Sequence, residues 1–281
     1  MFSAIKIFKN KNRKQKLIIK ENEKIIANDE VVANKIADYY KSIFNKDLKN
    51  NFNHIRATEM TIPFSESEVT IAIKKLKNGR CAGIDNIFAE HLKHGPKILN
   101  KHIATILNNM AKSGKVPEEI NNGIIIPIQK PGKEKGIVEN LRPIILLSVL
   151  RKILALIMLN RLLERFNDHI PISQSAYRRG RSTTENVFTF KILAEKAITS
   201  NDFAVNILLL DMSKAFDCVN RFTLFDDLKE LLESDELHIM KLLLLNITLK
   251  VRCEKNSANL SLLIQVFPRE ILYPLFFSLY T

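Results

Sequence analysis

"NILLLDMSKAFDCVN", residues 206–220, is the stretch on which the reading of this chain turns. Four aliphatic residues, Ile207 to Leu210, run into Asp211, and a second aspartate follows at Asp217. A short aliphatic run predicts a buried strand, here over 203–211, and a carboxylate at its end sits on a rigid element. Two readings of Asp211 follow. It caps the turn that leaves the strand, or it offers oxygen ligands to a hard divalent cation, as phosphoryl transfer on polyphosphates requires. The rest of the chain decides between them.

Composition narrows the partner. The 281 residues suffice for one large domain or two small ones with a real core. With 46% hydrophobic and 26% charged residues the chain reads as globular, not disordered. Lys and Arg number 43 against 30 Asp and Glu, a formal charge of +13. Such a surface attracts polyanions, nucleic acid first and an acidic membrane surface second. Three widely spaced cysteines, Cys81, Cys218 and Cys253, contain no CxxC pair. They point to neither a disulfide framework nor a zinc finger, and so to a reducing, intracellular compartment, cytoplasm or nucleus. The most apolar stretch, residues 144–163, is interrupted by Arg151, Lys152 and Arg161. It predicts a buried or amphipathic helix and no membrane span. The N-terminus has no secretory signal. All eight glycines lie between Gly79 and Gly180.

Residues 1–60 read as a basic extension. The first 20 residues carry seven cations and no acid, the pattern of a nucleic-acid arm, a nuclear address or a solvated linker. "DEVVANKIADYYKSIF", 29–44, has helical apolar spacing. In "FSESEVTIAIKKLKNG", 64–79, Ser65 and Glu68 have capping-box spacing, Val69, Ala72, Ile73 and Leu76 form a stripe, and Gly79 follows as a stop. "CAGIDNIFAEHLKHG" turns at Gly83 and predicts a helix ending near Gly95, with His91 and His94 at its surface. Residues 121–148 read as a strand, a Pro131-Gly132 and Gly136 turn, and a second extended segment. A helix over about 150–166, another over 183–198 opened by Ser182 and Glu185, and a third across 222–233 complete the pattern. Lys130 and Arg142 flank the basic turn, placed either to hold a polyphosphate or to stand as solvated cations.

Four segments in a fixed order then change the odds. "LKNGRCAGIDNIFAEHLK", "IIPIQKPGKEKG…NLRPIILLS", "QSAYRRGRSTTENV" and "LLLDMSKAFDCVN" all lie within residues 64–220. This series resembles the reverse transcriptases of non-LTR retrotransposons, the jockey-like elements in particular. The second segment carries the Arg-Pro-Ile-x-Leu-Leu signature and the fourth the Asp-x-Ser-Lys-Ala-Phe-Asp catalytic motif. Ala82 stands where proline is usual, and Leu141 where tyrosine is.

The resemblance implies an α/β, right-hand polymerase fold, helix-rich with a small mixed or antiparallel sheet. Fingers would occupy 61–200 and a partial palm 201–281, behind the 1–60 extension. It implies RNA-directed DNA synthesis by two-metal nucleotidyl transfer, with Mg²⁺, a dNTP, an RNA template and a DNA primer. Asp211 would be the catalytic, metal-binding carboxylate. Lys214 and Ala215 would pass near the triphosphate through their backbone, and Phe216 would exclude a 2′-hydroxyl. Lys130 and Arg142 would contact the triphosphate from the fingers. Arg178, Arg179 and Arg181 would hold template–primer, or remain an exposed basic loop. Asp217 would be structural.

The resemblance also weakens towards the end. "QVFPREILYPLFFSLYT", 265–281, keeps Pro274, Leu275, Phe277, Leu279 and Tyr280, but Gln265, Arg269 and Glu270 replace two glycines and a serine. Ala155 and Leu156 replace a usual Glu and Lys. The Tyr-x-Asp-Asp hairpin is expected beyond Thr281. One carboxylate in place of three is expected to leave the isolated chain inactive. A non-catalytic nucleic-acid-binding remnant, or a functionless pseudogene product, is the alternative.

Overall fold

Helices form where the sequence supplies caps and apolar stripes, and they surround one small sheet. The computed structural model describes residues 17–22, 24–44, 60–169, 173–175, 180–199, 206–210, 219–245, 247–253 and 261–263. A hairpin of β1 (Ile19–Glu21) and β2 (Lys24–Ile26) opens the chain, followed by α1 (Asp29–Phe44). Next come α2 (Glu66–Lys75), α3 (Ala89–His94), α4 (Ile98–Ser113) and the single turn α5 (Glu118–Asn121). The strands β3 (Asn122–Gln129) and β4 (Leu141–Leu146) follow, separated by a 3₁₀ turn at Val138–Asn140. Then come α6 (Val149–His169), α7 (Thr183–Thr199), α8 (Arg221–Leu231), α9 (Ser234–Leu244), β5 (Thr248–Val251) and β6 (Ser261–Leu263).

The capping box expected at α2 is present. Ser65 Oγ accepts from the Glu68 amide at 3.3 Å, and the Glu68 carboxylate accepts from the Ser65 amide at 2.9 Å. Val69, Ala72 and Ile73 turn inward as the stripe predicts. Gly114 ends α4 in the left-handed region at φ +67°, its amide donating to Met110 O.

The sheet runs β4-β3-β5-β6. β3 and β4 pair antiparallel, with Ile125 opposite Ile145 and Ile128 opposite Arg142. β5 joins β3 in parallel, Asn122 opposite Thr248 and Ile125 opposite Val251. Such a mixed sheet arises because β4 returns through a turn, whereas β5 arrives only after the four helices α6 to α9. Around it lie the buried faces of α1 (Val32, Ile36, Tyr40), α4 (Leu107, Met110), α6 (Ile153, Ile157, Leu162) and α9 (Ile239, Leu243). The fold is therefore helix-rich α/β, as expected. The apolar stretch at 144–163 divides between β4 and α6, and no helix among the described residues is long and apolar enough to cross a membrane.

One element departs from expectation. The strand predicted over 203–211 is absent from its described part, 206–210, which has no secondary structure. Leu208, Leu209 and Leu210 are exposed by 79%, 89% and 82%. An aliphatic run becomes a strand only when a neighbour accepts its ladder, and among the described residues β5 takes the place beside β3. There Ile247, Leu249 and Val251 alternate inward and are all buried. The α7 helix is similarly unburied: none of its residues is in the core, although Val187, Phe188 and Phe190 are apolar.

Candidate nucleotide and nucleic-acid site

The β3–β4 hairpin sets the two fingers cations. Its inner face carries Ile125 and Leu141, both buried, and its outer face carries Ile128, Arg142 and Ile144, all exposed. The pleat therefore fixes Arg142 outward, opposite Ile128. Among the described residues its guanidinium makes no hydrogen bond or ion pair, so all its donors face outward. Lys130 lies two residues beyond Ile128. Its amide donates to Asn140 O at 2.9 Å, and its ammonium to Glu139 O at 2.7 Å. The turn itself is built by Pro131-Gly132: the Lys133 amide donates to Lys130 O, and Gly132 takes φ +71°. Gln129 Nε2 donates to the carbonyls of Lys133 and Glu134, and Asn140 Nδ2 also to Glu134 O. Lys130 thus stands on an ordered tip.

A groove of about 600 Å³ lies against the end of β4 at Ile144 to Leu147. Ile144 and Leu146 of β4 form part of its floor with Leu156 and Leu159 of α6. Lys75, Lys77, Arg80 and Lys152 line it as well, giving apolar walls with a cationic margin. The loop 79–89 closes one side and is seated by Gly83, where a Cβ would fall 2.7 Å from the Leu147 and Ser148 backbone. The Gly79 amide donates to Glu90 Oε1, and that bond holds the Glu90 carboxyl below its ordinary range. These four cations escaped the sequence reading. Their signal was present in "KKLKNGR", 74–80, which reads as a solvated helix end until Lys152 is brought to it by α6.

Of the remaining expected residues, Arg181 precedes α7 and pairs with Glu185 at 3.2 Å. Asp211, Lys214, Ala215 and Phe216, with Arg178, Arg179 and Asp217, lie outside the described residues. His91 and His94 gather no further ligands: among the described residues no three His, Cys, Asp or Glu side chains could share a metal ion. The described part of the chain therefore does not by itself fit the divalent cation that the resemblance implies.

No family model matches the chain. Individual proteins do. It is 30% identical over 223 residues to a probable RNA-directed DNA polymerase from transposon BS of Drosophila melanogaster, covering 78% of this chain and 24% of that protein. It is 29% identical over 181 residues to the RNA-directed DNA polymerase from mobile element jockey of Drosophila funebris, covering 64% of this chain and 20% of that protein. The corresponding jockey protein of Drosophila melanogaster is 31% identical over 166 residues, 57% of this chain and 18% of its own. The chain thus spans a quarter or less of the curated relatives it matches. Three such likenesses give one answer: the chain belongs to the reverse transcriptases of jockey-like non-LTR retrotransposons.

Proposed function

We propose that this chain supplies fingers (61–200) and part of the palm (201–281) of an RNA-directed DNA polymerase, binding the incoming dNTP and the template–primer. The observation that supports the reading is a groove with a cationic margin against β4, the strand that also carries Arg142. Arg142, Ile144 and Leu146 alternate onto one face of β4, and the last two line the groove. A triphosphate at the hairpin tip would meet Lys130 and Arg142, whose charges oppose its own. A nucleic-acid strand in the groove would set its bases on Ile144, Leu156 and Leu159, and its phosphates near Lys77, Arg80 and Lys152. Arg178, Arg179 and Arg181 would add contacts to the template–primer.

DNA synthesis joins the primer 3′-hydroxyl oxygen to the α-phosphorus of the dNTP and releases pyrophosphate. Mg²⁺ would supply charge neutralisation to that reaction when bound, with Asp211 as this chain's carboxylate for it. Lys130 and Arg142 orient and neutralise the triphosphate, the backbone of Lys214 and Ala215 borders it, and Phe216 disfavours a ribose. These residues act in binding, and binding is where the reading is tested.

Fluorescence anisotropy with an RNA–DNA primer–template should show affinity falling steeply with salt. Arg80→Ala and Lys77→Ala should each weaken binding and lower the magnitude of the log–log salt slope by about 1. Salt-independent binding, or none, would remove the proposal. Primer extension with Mg²⁺, where it occurs, should be abolished by Asp211→Ala.

A further inference from the structure

We propose that the β1–β2 hairpin is a positioning strap for the basic tip between β3 and β4, and that it fixes Lys130 in its anion-holding place. The inference rests on the reading of Lys130 and Arg142 as triphosphate contacts and adds a part of the chain that no motif assigns. The Lys20 amide donates to Gly136 O at 2.8 Å, across a sequence gap of more than a hundred residues. Lys20 Nζ pairs with Glu134 Oε1 at 2.7 Å. Gly136 sits at φ +90°, and a Cβ there would lie 2.6 Å from Lys20 Cγ. The aliphatic stem of Lys20 therefore lies directly on the turn, where only glycine leaves it room.

The strap is itself anchored. Ile19 is buried in the main core at 4% exposure, and Glu21 accepts from Lys35 Nζ of α1 at 2.7 Å. β1 thus links a fixed helix to residues 134–136. Those residues connect to Lys130 through two carbonyl acceptors. Glu134 O takes bonds from Gln129 and Asn140, and Asn140 O takes the Lys130 amide. Releasing 134–136 loosens the limb that holds Lys130. Arg142 lies within β4 and is fixed by the ladder with Ile128 instead. The ion pair is exposed and adds little. Backbone bond and stem contact do the holding.

The test uses the full chain, inorganic tripolyphosphate as the probe and calorimetric Kd values. Gly136→Ala should weaken binding about three- to tenfold, and Lys20→Ala in the same chain should restore only the share due to the stem, because φ +90° strains any side chain at 136. Combined with Lys130→Ala, Gly136→Ala should add nothing further. Combined with Arg142→Ala, the two losses should multiply. Lys20→Pro, which removes the outward N–H together with the stem, should reproduce the loss if Gly136→Ala fails to fold. A structural defect alone would weaken Lys130 and Arg142 backgrounds alike, and that result would overturn the proposal. So would unchanged binding in both strap variants while Lys130→Ala loses affinity. If Lys130→Ala itself changes nothing, the triphosphate reading falls and the strap's role falls with it.

Discussion

Arg151 donates from Nη2 to the Leu243 carbonyl at 2.6 Å, tying the first turn of α6 to the last turn of α9. The same nitrogen reaches Leu242 O at 3.1 Å, and Nη1 reaches Asn121 Oδ1 at 3.1 Å. The side chain is 1% exposed, and burial pulls its guanidinium down to about 10. Its charge is met by the negative end of the α9 dipole and by carbonyls that have no partner within the helix. Arg151→Ala should cost about 3–5 kcal/mol in urea unfolding, because it strands the two buried carbonyls of Leu242 and Leu243. Arg151→Lys should recover only part, since an ammonium lacks the fork. An Ala variant of wild-type stability would refute this account of the junction.

His238 gives the fold a defined acid sensitivity. Its Nε2 lies 2.9 Å from Ala111 O, joining α9 to the end of α4. Desolvation lowers its pKa below the ordinary value of 6.5 and Lys241 adds to this, against the opposing Ala111 carbonyl and Asp235. The unfolded chain therefore takes up the proton first as pH falls. The contribution is fully present above about 6.5 and is lost as pH drops through the lower folded value. His238→Gln should remove that part of the pH dependence between 7.5 and 5.5, read from urea midpoints. A parallel loss in both proteins would assign the sensitivity elsewhere.

Arg161 grips Glu68 with both arms of its fork, Nε to Oε1 at 2.6 Å and Nη2 to Oε2 at 2.9 Å. It also donates to Ile62 O at 2.8 Å and lies over the Phe64 ring at 4.7 Å. Burial raises the Glu68 pKa, but bonds from Arg161 and Ser65 outweigh it and hold the carboxyl below 4.5. A double-mutant cycle between Glu68→Ala and Arg161→Ala should give a coupling of roughly 1–2 kcal/mol. The coupling should vanish below the folded pKa of Glu68, when the carboxylate is protonated.

The unpaired run at 206–210 should drive self-association. Its leucines at 208–210 are more than three-quarters exposed, on backbone with no strand partner among the described residues. Leu209→Lys should raise the concentration at which light scattering appears, with no change in urea midpoint. If solubility is unaffected, association arises from another surface, with the exposed α7 the next to vary.

Local chemistry made much of this fold legible. Ser65 with Glu68 marked the start of α2, Pro131-Gly132 marked the β3–β4 turn, and the 29–44 stripe gave α1 its observed limits. The misreading at 207–210 has a physical cause. Four aliphatics state a wish for burial but not a partner, and the partner strand beside β3 was instead 248–251, a short run that alternates less conspicuously. The site divides in the same way. The placement of Lys130 and Arg142 about one turn was readable. The groove was not, because Lys77 and Lys152 meet only after α6 folds back along α2. The β1–β2 hairpin left no signal at all beyond basic composition, since its hold on Gly136 is a main-chain bond.

The parallel pairing of Asn122 with Thr248 sets a timetable for the chain during synthesis. The β3–β4 hairpin can close as soon as its own residues leave the ribosome. The strand that covers its other edge emerges roughly ten seconds later, at ordinary elongation rates. Through that interval Asn122 to Ile125 present an open strand edge to the cell. Nascent chains of this protein should therefore depend on holding chaperones most strongly between the emergence of β4 and of β5, and translation pauses in that window should lower the soluble yield.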